Sequence, residues 1–190
     1  LAELMRLKYG IAVAGTHGKT TTTSMLALVL TYGRLDPTVV VGGRLNVLGG
    51  NAKLGKGEYM VAEADESDSS FLHLSPTFAV ITNIDSDHLD HYGSMENLKN
   101  TFVEFANRVP FYGSVIICGD DQGSASIVPR LKRKYVTYGL SEGLDVRAAG
   151  VEFSGLGCRY AAMDGKAPLG EIILKVPGMH NVVNSLAAVA

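Results

Sequence analysis

Residues 15–20 read GTHGKT, and they follow the apolar run GIAVA and precede a run of threonines. Glycine lets a backbone turn so tightly that several N–H groups face one point, which is what an anion requires. A helix that opens there adds unpaired donors and a partial positive charge. The spacing therefore reads as a phosphate-binding loop made by Gly15, Thr16, His17, Gly18, Lys19, Thr20 and Thr21. Lys19 would reach the β- and γ-phosphates, and the Thr20 hydroxyl would bind Mg²⁺. In a first helical turn the short hydroxyls of TTTT can meet free backbone groups, ligand or metal. One departure stands out. The strict pattern G-x-x-x-x-G-K-[ST] has glycine where this chain has Val13, and the loop's glycine is Gly15 instead.

Two further segments carry acids. After EYMVA comes EADESD, with Glu63, Asp65, Glu66 and Asp68; after TFAVIT comes NIDSDHLDH, with Asp85, Asp87, His88, Asp90 and His91. An acid at the end of an apolar strand beside a phosphate loop is where a nucleotide's metal is held, and Mg²⁺ takes one or two carboxylates. Glu63, nearest the strand, is the expected ligand, with Asp65, Glu66 and Asp68 ordering the loop or supporting it. DHLDH has zinc-ligating residue types but lacks a cluster to complete four ligands. His88 is read instead as a group near a second Mg²⁺ or the γ-phosphate. His17 and His73 carry no signal beyond proximity.

The elements that must position these groups can be read from patterning. Apolar runs near 10–14, 37–41, 58–63, 77–82, 113–118 and 134–138 alternate with helical patterns at 19–32, 94–108 and 121–132. That alternation argues a doubly wound, mostly parallel α/β sheet, whose ligands bind beyond the carboxyl ends of the strands. From about 145 no helix intervenes. VRAAGVEFSG, GCRYAAM and EIILKV, with the turn MDGKAP, read as a small flanking antiparallel sheet over 145–177. PGMHNVVNSLAAVA then opens a last helix, with His180 or Asn181 as its cap. The glycine-rich 41–57 is expected to be a long loop that is functional or mobile.

The 190 residues suffice for one sizeable core. Net charge −2 and a pI near 6.2 leave no footprint for nucleic acid or an anionic membrane surface. No run of eighteen apolar residues occurs, so no membrane insertion is expected. Two cysteines, Cys118 and Cys158, form no disulfide framework, which points to a reducing, cytoplasmic setting. The chain starts at Leu1, with Leu1, Leu4 and Met5 on one helical stripe, and stops within an apolar helical run. Both ends lead us to expect a domain from a longer protein. A GTPase-type switch needs N-K-x-D after a strand, and the comparable place reads TNIDSD.

GTHGKTTTTS, EADESDSSFLHLSP, TNIDSDHLDHYGS and GMHNVVNSLAA together resemble, in order, the central ATP-binding domain of the Mur ligases, which build the peptide of bacterial peptidoglycan. The resemblance spans essentially the whole chain. EADESD with GTHGKTTTTS is most like the branch that joins L-alanine to UDP-N-acetylmuramate. Tripeptide-recycling ligases and folylpolyglutamate synthases are the nearest alternatives. The resemblance implies ATP and Mg²⁺ as cofactors, a UDP-sugar domain before this piece and another α/β domain after it. It also implies that Thr20 and Glu63 hold one Mg²⁺, that His88 holds a second, and that His180, Asn181 and Asn184 meet the nucleotide, with Asn184 or Asn181 reaching adenine. Segment 42–57 would lie against the UDP-sugar or move on closure.

Overall fold

Strand residues in this chain bury alternate side chains on opposite faces, and both faces are apolar. In the computed structural model, which describes residues 1–45, 50–87 and 89–190, β1 (Tyr9–Ala14) sends Ala12 and Ala14 to one core and Ile11 and Val13 to another. The strands β4 (Tyr59–Glu63), β5 (Phe78–Ile81) and β6 (Ser114–Cys118) repeat this division: Met60, Ala62, Ala79, Ile81, Val115 and Ile117 against Val61, Val80, Ile116 and Cys118. Strands apolar on both sides must be covered on both sides, and parallel strands need helical crossovers that do the covering.

Among the described residues the remaining strands are β2 (Thr38–Leu45), β3 (Gly50–Lys53), β7 (Tyr135–Gly139), β8 (Val146–Ser154), β9 (Gly157–Asp164) and β10 (Ala167–Leu174). All lie in one sheet of order β10-β9-β8-β7-β6-β5-β1-β4-β2-β3. Neighbours from β2 through β8 pair in parallel, while β3, β9 and β10 are antiparallel additions.

The helices are α1 (Ala2–Met5), α2 (Lys19–Tyr32), α3 (Leu89–Tyr92), α4 (Met95–Asn107), α5 (Gln122–Ile127) and α6 (Met179–Val189). α4 buries Leu98, Phe102, Phe105 and Ala106, a stripe at helical spacing, on the face shared with Phe71. It starts at Ser94, whose hydroxyl accepts from the Asn97 N–H at 3.2 Å. α2 and α6 cover the other face through Leu26, Val182 and Leu186. No helix among the described residues is long and apolar enough to cross a membrane.

The doubly wound sheet agrees with the sequence pattern; four details differ. The strand expected at 37–41 runs on to Leu45 and turns back as β3, so 41–57 is a strand pair in part and not one long loop. Residues 46–49 lie outside the described residues. The helix expected over 121–132 ends at Ile127, where Pro129 allows only a 3₁₀ turn, Val128–Arg130. The antiparallel strands of 145–177 do not stand apart: β8 pairs with β7 through Tyr138–Val146 and Gly139–Arg147 and carries β9 and β10 with it. At the N-terminus, Met5 is fully buried but Leu1 and Leu4 are exposed, so the expected stripe packs at one position only. Both cysteines are free and buried, and desolvation pushes the Cys118 thiol up from its ordinary value.

Candidate active site

The loop between β1 and α2 turns on two glycines. Gly15 has φ 134° and Gly18, the residue capping α2, has φ 82°. A Cβ at Gly15 would stand 2.1 Å from Thr82 Oγ1 and 3.0 Å from the Asn83 backbone N and O. Gly15→Ala is therefore expected to lose about 3 kcal/mol of stability from backbone strain and collision combined, measured by urea unfolding.

The segment after β5 grips this loop. The His17 N–H donates to Asn83 Oδ1 at 2.8 Å, while Asn83 Nδ2 and Thr82 Oγ1 donate to the His17 carbonyl at 2.9 and 2.6 Å. The Asp85 N–H donates to Thr16 Oγ1 at 2.9 Å. TNID thus shapes the phosphate loop directly, a role that its residue types did not announce. Asp121 holds TNID in turn, since its carboxylate accepts from the Ile84 N–H at 3.0 Å and caps α5 through the Ser124 N–H at 2.7 Å. Asp121→Ala removes both and is expected to lower the unfolding free energy by about 2 kcal/mol, read from a thermal melt.

Lys19 and Thr20 open α2 and face different carboxylates. The Thr20 hydroxyl lies 3.1 and 3.0 Å from the two oxygens of Glu63, at the end of β4. The Gly42 N–H of β2 donates to Glu63 Oε2 at 2.9 Å. Lys19 Nζ donates to the carbonyls of Gly15 (2.7 Å) and Thr16 (3.3 Å) and lies 2.9 Å from each Glu66 oxygen. Glu66 is 1% exposed. Its own carbonyl accepts from the Tyr92 hydroxyl, which accepts from Ser69 Oγ at 3.2 Å; Ser69 Oγ also lies 3.2 Å from His91 Nε2. Burial holds the Tyr92 phenol above its ordinary pKa.

Glu66 is the functional candidate that sequence reasoning undervalued. Asp65 and Asp68 do order their loop, accepting from the Ser67 and Ser70 N–H groups at 3.0 and 2.9 Å. Hydrogen bonds from Ser70 keep Asp68 below the usual carboxylate range. Glu66 turns inward instead.

The threonine run divides as well. Thr21 lines the cleft, whereas Thr22 and Thr23 are fully buried, their hydroxyls without a hydrogen-bond partner among the described residues. Those two serve neither free backbone groups nor the cleft. Thr16, His17, Gly18, Lys19, Thr20, Thr21 and Glu63 together line an open cleft of about 360 Å³.

α6 begins at Gly178 (φ 97°), which is the cap in place of His180 or Asn181. Asn181 Nδ2 donates back to the Pro177 carbonyl at 2.6 Å, and His180 is exposed. Asn184 is buried with its amide against the phosphate loop: a Cβ at Gly18 would stand 2.6 Å from Asn184 Oδ1. Lys19, Thr20, Glu63 and Asn184 are thus brought to one loop. His88 lies outside the described residues. His17 is exposed, with Nε2 3.7 Å from Asp87 Oδ2.

A glycine turn between a parallel strand and a helix, with lysine and threonine at the helix start and a carboxylate from the next strand, defines a phosphate-loop α/β domain. The chain belongs to the family described as the Mur ligase middle domain, whose model matches residues 13–190. Over its full length it is 59% identical to a UDP-N-acetylmuramate–L-alanine ligase of Geobacter sp. (strain M21), and 58% identical to that of Geobacter sulfurreducens. The chain spans 41% of the length of each of these relatives. Among solved structures it resembles the UDP-N-acetylmuramate-alanine ligase of Thermotoga maritima with a TM-score of 0.84 at 34% identity, covering 98% of this chain and 42% of that one. A UDP-N-acetylmuramate:L-alanyl-γ-D-glutamyl-meso-diaminopimelate ligase from Neisseria meningitides has a TM-score of 0.87 at 27% identity, over 98% of this chain and 61% of that one.

Proposed function

We propose that this chain is the nucleotide-binding middle domain of a cytoplasmic, ATP-dependent ligase that joins L-alanine to UDP-N-acetylmuramate. The observation that carries the reading is the meeting of Lys19, Thr20 and Glu63 at the mouth of one glycine loop. The choice of alanine rests on identity near 58% to ligases of that name. UDP-sugar and C-terminal domains would flank the chain.

A carboxylate does not react with an amine at neutral pH, because its oxygen is a poor leaving group. Passing the γ-phosphoryl of ATP to the lactyl carboxylate gives an acyl phosphate. The alanine amine then attacks, and phosphate leaves from a tetrahedral intermediate. Such chemistry asks the protein mainly for position and charge. The N–H groups of Gly18, Lys19 and Thr20 at the start of α2 hold the phosphates, while those of Thr16 and His17 are given to Asn83, and Lys19 reaches the β- and γ-oxygens. Asn184 packs on Gly18 and keeps the turn shaped, and Asn184 or Asn181 is the candidate for adenine.

Thr20 and Glu63 fit Mg²⁺ in their chemistry, a hydroxyl and a carboxylate already in contact and both hard oxygen donors. His88 is the proposed group at a second metal, by family resemblance. Bound there, Mg²⁺ supplies neutralisation of phosphate charge.

The test uses the full-length protein with ATP, Mg²⁺, UDP-N-acetylmuramate and each amino acid in turn, reading phosphate release. Alanine is expected to give turnover. Release only with a tripeptide, or with folate and glutamate, overturns the choice of substrate. The 190-residue chain alone is expected to give none, since the amino-acid and most UDP-sugar contacts would lie on the flanking domains.

A further inference from the structure

The two oxygens of the Glu63 carboxylate have unlike surroundings. Oε2 accepts the Gly42 N–H at 2.9 Å, a donor fixed in the backbone of β2. Oε1 is met by the Thr20 hydroxyl at 3.1 Å, which also lies 3.0 Å from Oε2. That hydroxyl rotates and carries one hydrogen, so it serves one oxygen at a time. Oε1 is thus the oxygen left with lone pairs for a cation. The Gly42 donor is well anchored. Val41 beside it is 4% exposed and clusters with Val39 and with Ala27 of α2, the helix that Lys19 and Thr20 open. The β2–β4 ladder ends at Val40–Ala62, and beyond it the Glu63 side chain takes the Gly42 N–H. Such a bond to a carboxylate is charge-assisted and stronger than a neutral one. Gly42 is not glycine for its torsions, since its φ lies outside the left-handed region. What excludes a side chain is the carboxylate itself: a Cβ would stand 3.3 Å from Glu63 Cδ and Oε1 and 3.4 Å from Oε2.

We propose that Gly42 is a positioning residue for the Mg²⁺ site: its N–H holds Glu63 Oε2, so that Oε1 is presented to the cation beside Thr20. A glutamate free of β2 would lose rotamer freedom on meeting the cation, which weakens binding. Here β2 has ordered the side chain beforehand. The inference rests on the reading of Thr20 and Glu63 as Mg²⁺ ligands and adds the group that aims one of them.

Mn²⁺ serves as the probe, its binding to the full-length protein with ADP read by electron paramagnetic resonance. In Gly42→Ala the group that must give way is the end of a flexible side chain, so the fold holds and Glu63 is pushed from its place. Mn²⁺ is expected to bind about tenfold more weakly, the effect of losing a group that orients a metal ligand. ADP measured with EDTA is expected to bind as before. Gly43→Ala is the control on the same strand. Its Cβ would stand 3.4 Å from Thr20 Cγ2, an ordinary contact, and Mn²⁺ affinity is expected to stay within about twofold. Added to Glu63→Ala, Gly42→Ala is expected to weaken Mn²⁺ no further, because it acts through that carboxylate. Gly42→Ala binding Mn²⁺ like the unaltered protein, or both alanine variants losing it alike, overturns the proposal. One measurement needs no change at Gly42. With Mg²⁺ and ADP bound, the Gly42 amide is expected to exchange its hydrogen about tenfold more slowly than in Glu63→Ala, followed by NMR of glycine-labelled protein. Equal exchange would mean that the N–H lets go when the metal binds, and the proposal fails. The metal reading beneath it has its own readout: undiminished Mn²⁺ affinity in Glu63→Ala removes Glu63 from the site, and the role of Gly42 with it.

Discussion

Lys19→Ala in the full-length protein is expected to weaken nucleotide binding about 100-fold, the value of a charge-assisted bond to phosphate. The same change is expected to lower the unfolding free energy by about 3 kcal/mol, which a surface lysine would not do. The reason is Glu66, which at 1% exposure has Lys19 as its cation 2.9 Å away. Removing Lys19 takes away the ion pair and the ammonium's bonds to the Gly15 and Thr16 carbonyls together. Glu66→Gln added to Lys19→Ala is expected to recover part of the lost stability without recovering affinity. Calorimetry with ADP and urea unfolding read the two effects separately. An unchanged affinity would overturn the phosphate loop, and an unchanged unfolding free energy would mean that the ion pair contributes nothing net.

Much of this architecture is legible in the sequence for one reason. Strands buried on both faces are nearly all apolar, so YGIAVA, YMVAE, FAVI and SVIIC stand out between polar turns, and GKTTTTSMLALVLTY has the length and opening of a helix. What the sequence hides is where side chains are small or alike. Gly42 and Gly43 look like loop, yet they lie in β2. A Cβ at Gly42 would meet the Glu63 carboxylate at 3.3 Å, so bareness there serves the close approach to Glu63. Strand partners are hidden too: β8 joins β7 through only Tyr138–Val146 and Gly139–Arg147, a pairing that no local pattern announces.

Glu66 was disguised by its neighbours, being one of four acids in EADESD. Its signal lay in strand periodicity. Ala62, Ala64 and Glu66 are buried at 0%, 1% and 1%, and the Ala64 N–H still donates to the Val13 carbonyl. The two-residue alternation of β4 therefore runs past Glu63, sending Glu63 to the cleft and Glu66 to the core side. Counting along from Tyr59 separates Glu63 from Glu66; charge alone does not.

That alternation gives Glu63→Gln its expected outcome. Glu63 projects to the cleft, accepts from the Gly42 N–H and contacts Thr20 Oγ1. Glutamine can keep both contacts, its carbonyl oxygen accepting from Gly42 and its amide donating to the threonine oxygen. Fold stability is thus expected to change by no more than about 0.5 kcal/mol. The negative charge is gone, however, and Mg²⁺ depends on carboxylate charge for its affinity. In the full-length protein the Mg²⁺ concentration for half-maximal phosphate release is expected to rise about 100-fold, with saturating Mg²⁺ restoring part of the turnover. Thermal melts and Mg²⁺ titrations of the two proteins check the pair of statements. A variant with unaltered Mg²⁺ dependence would take Glu63 out of the metal site and leave it a bracket between β4, β2 and the start of α2.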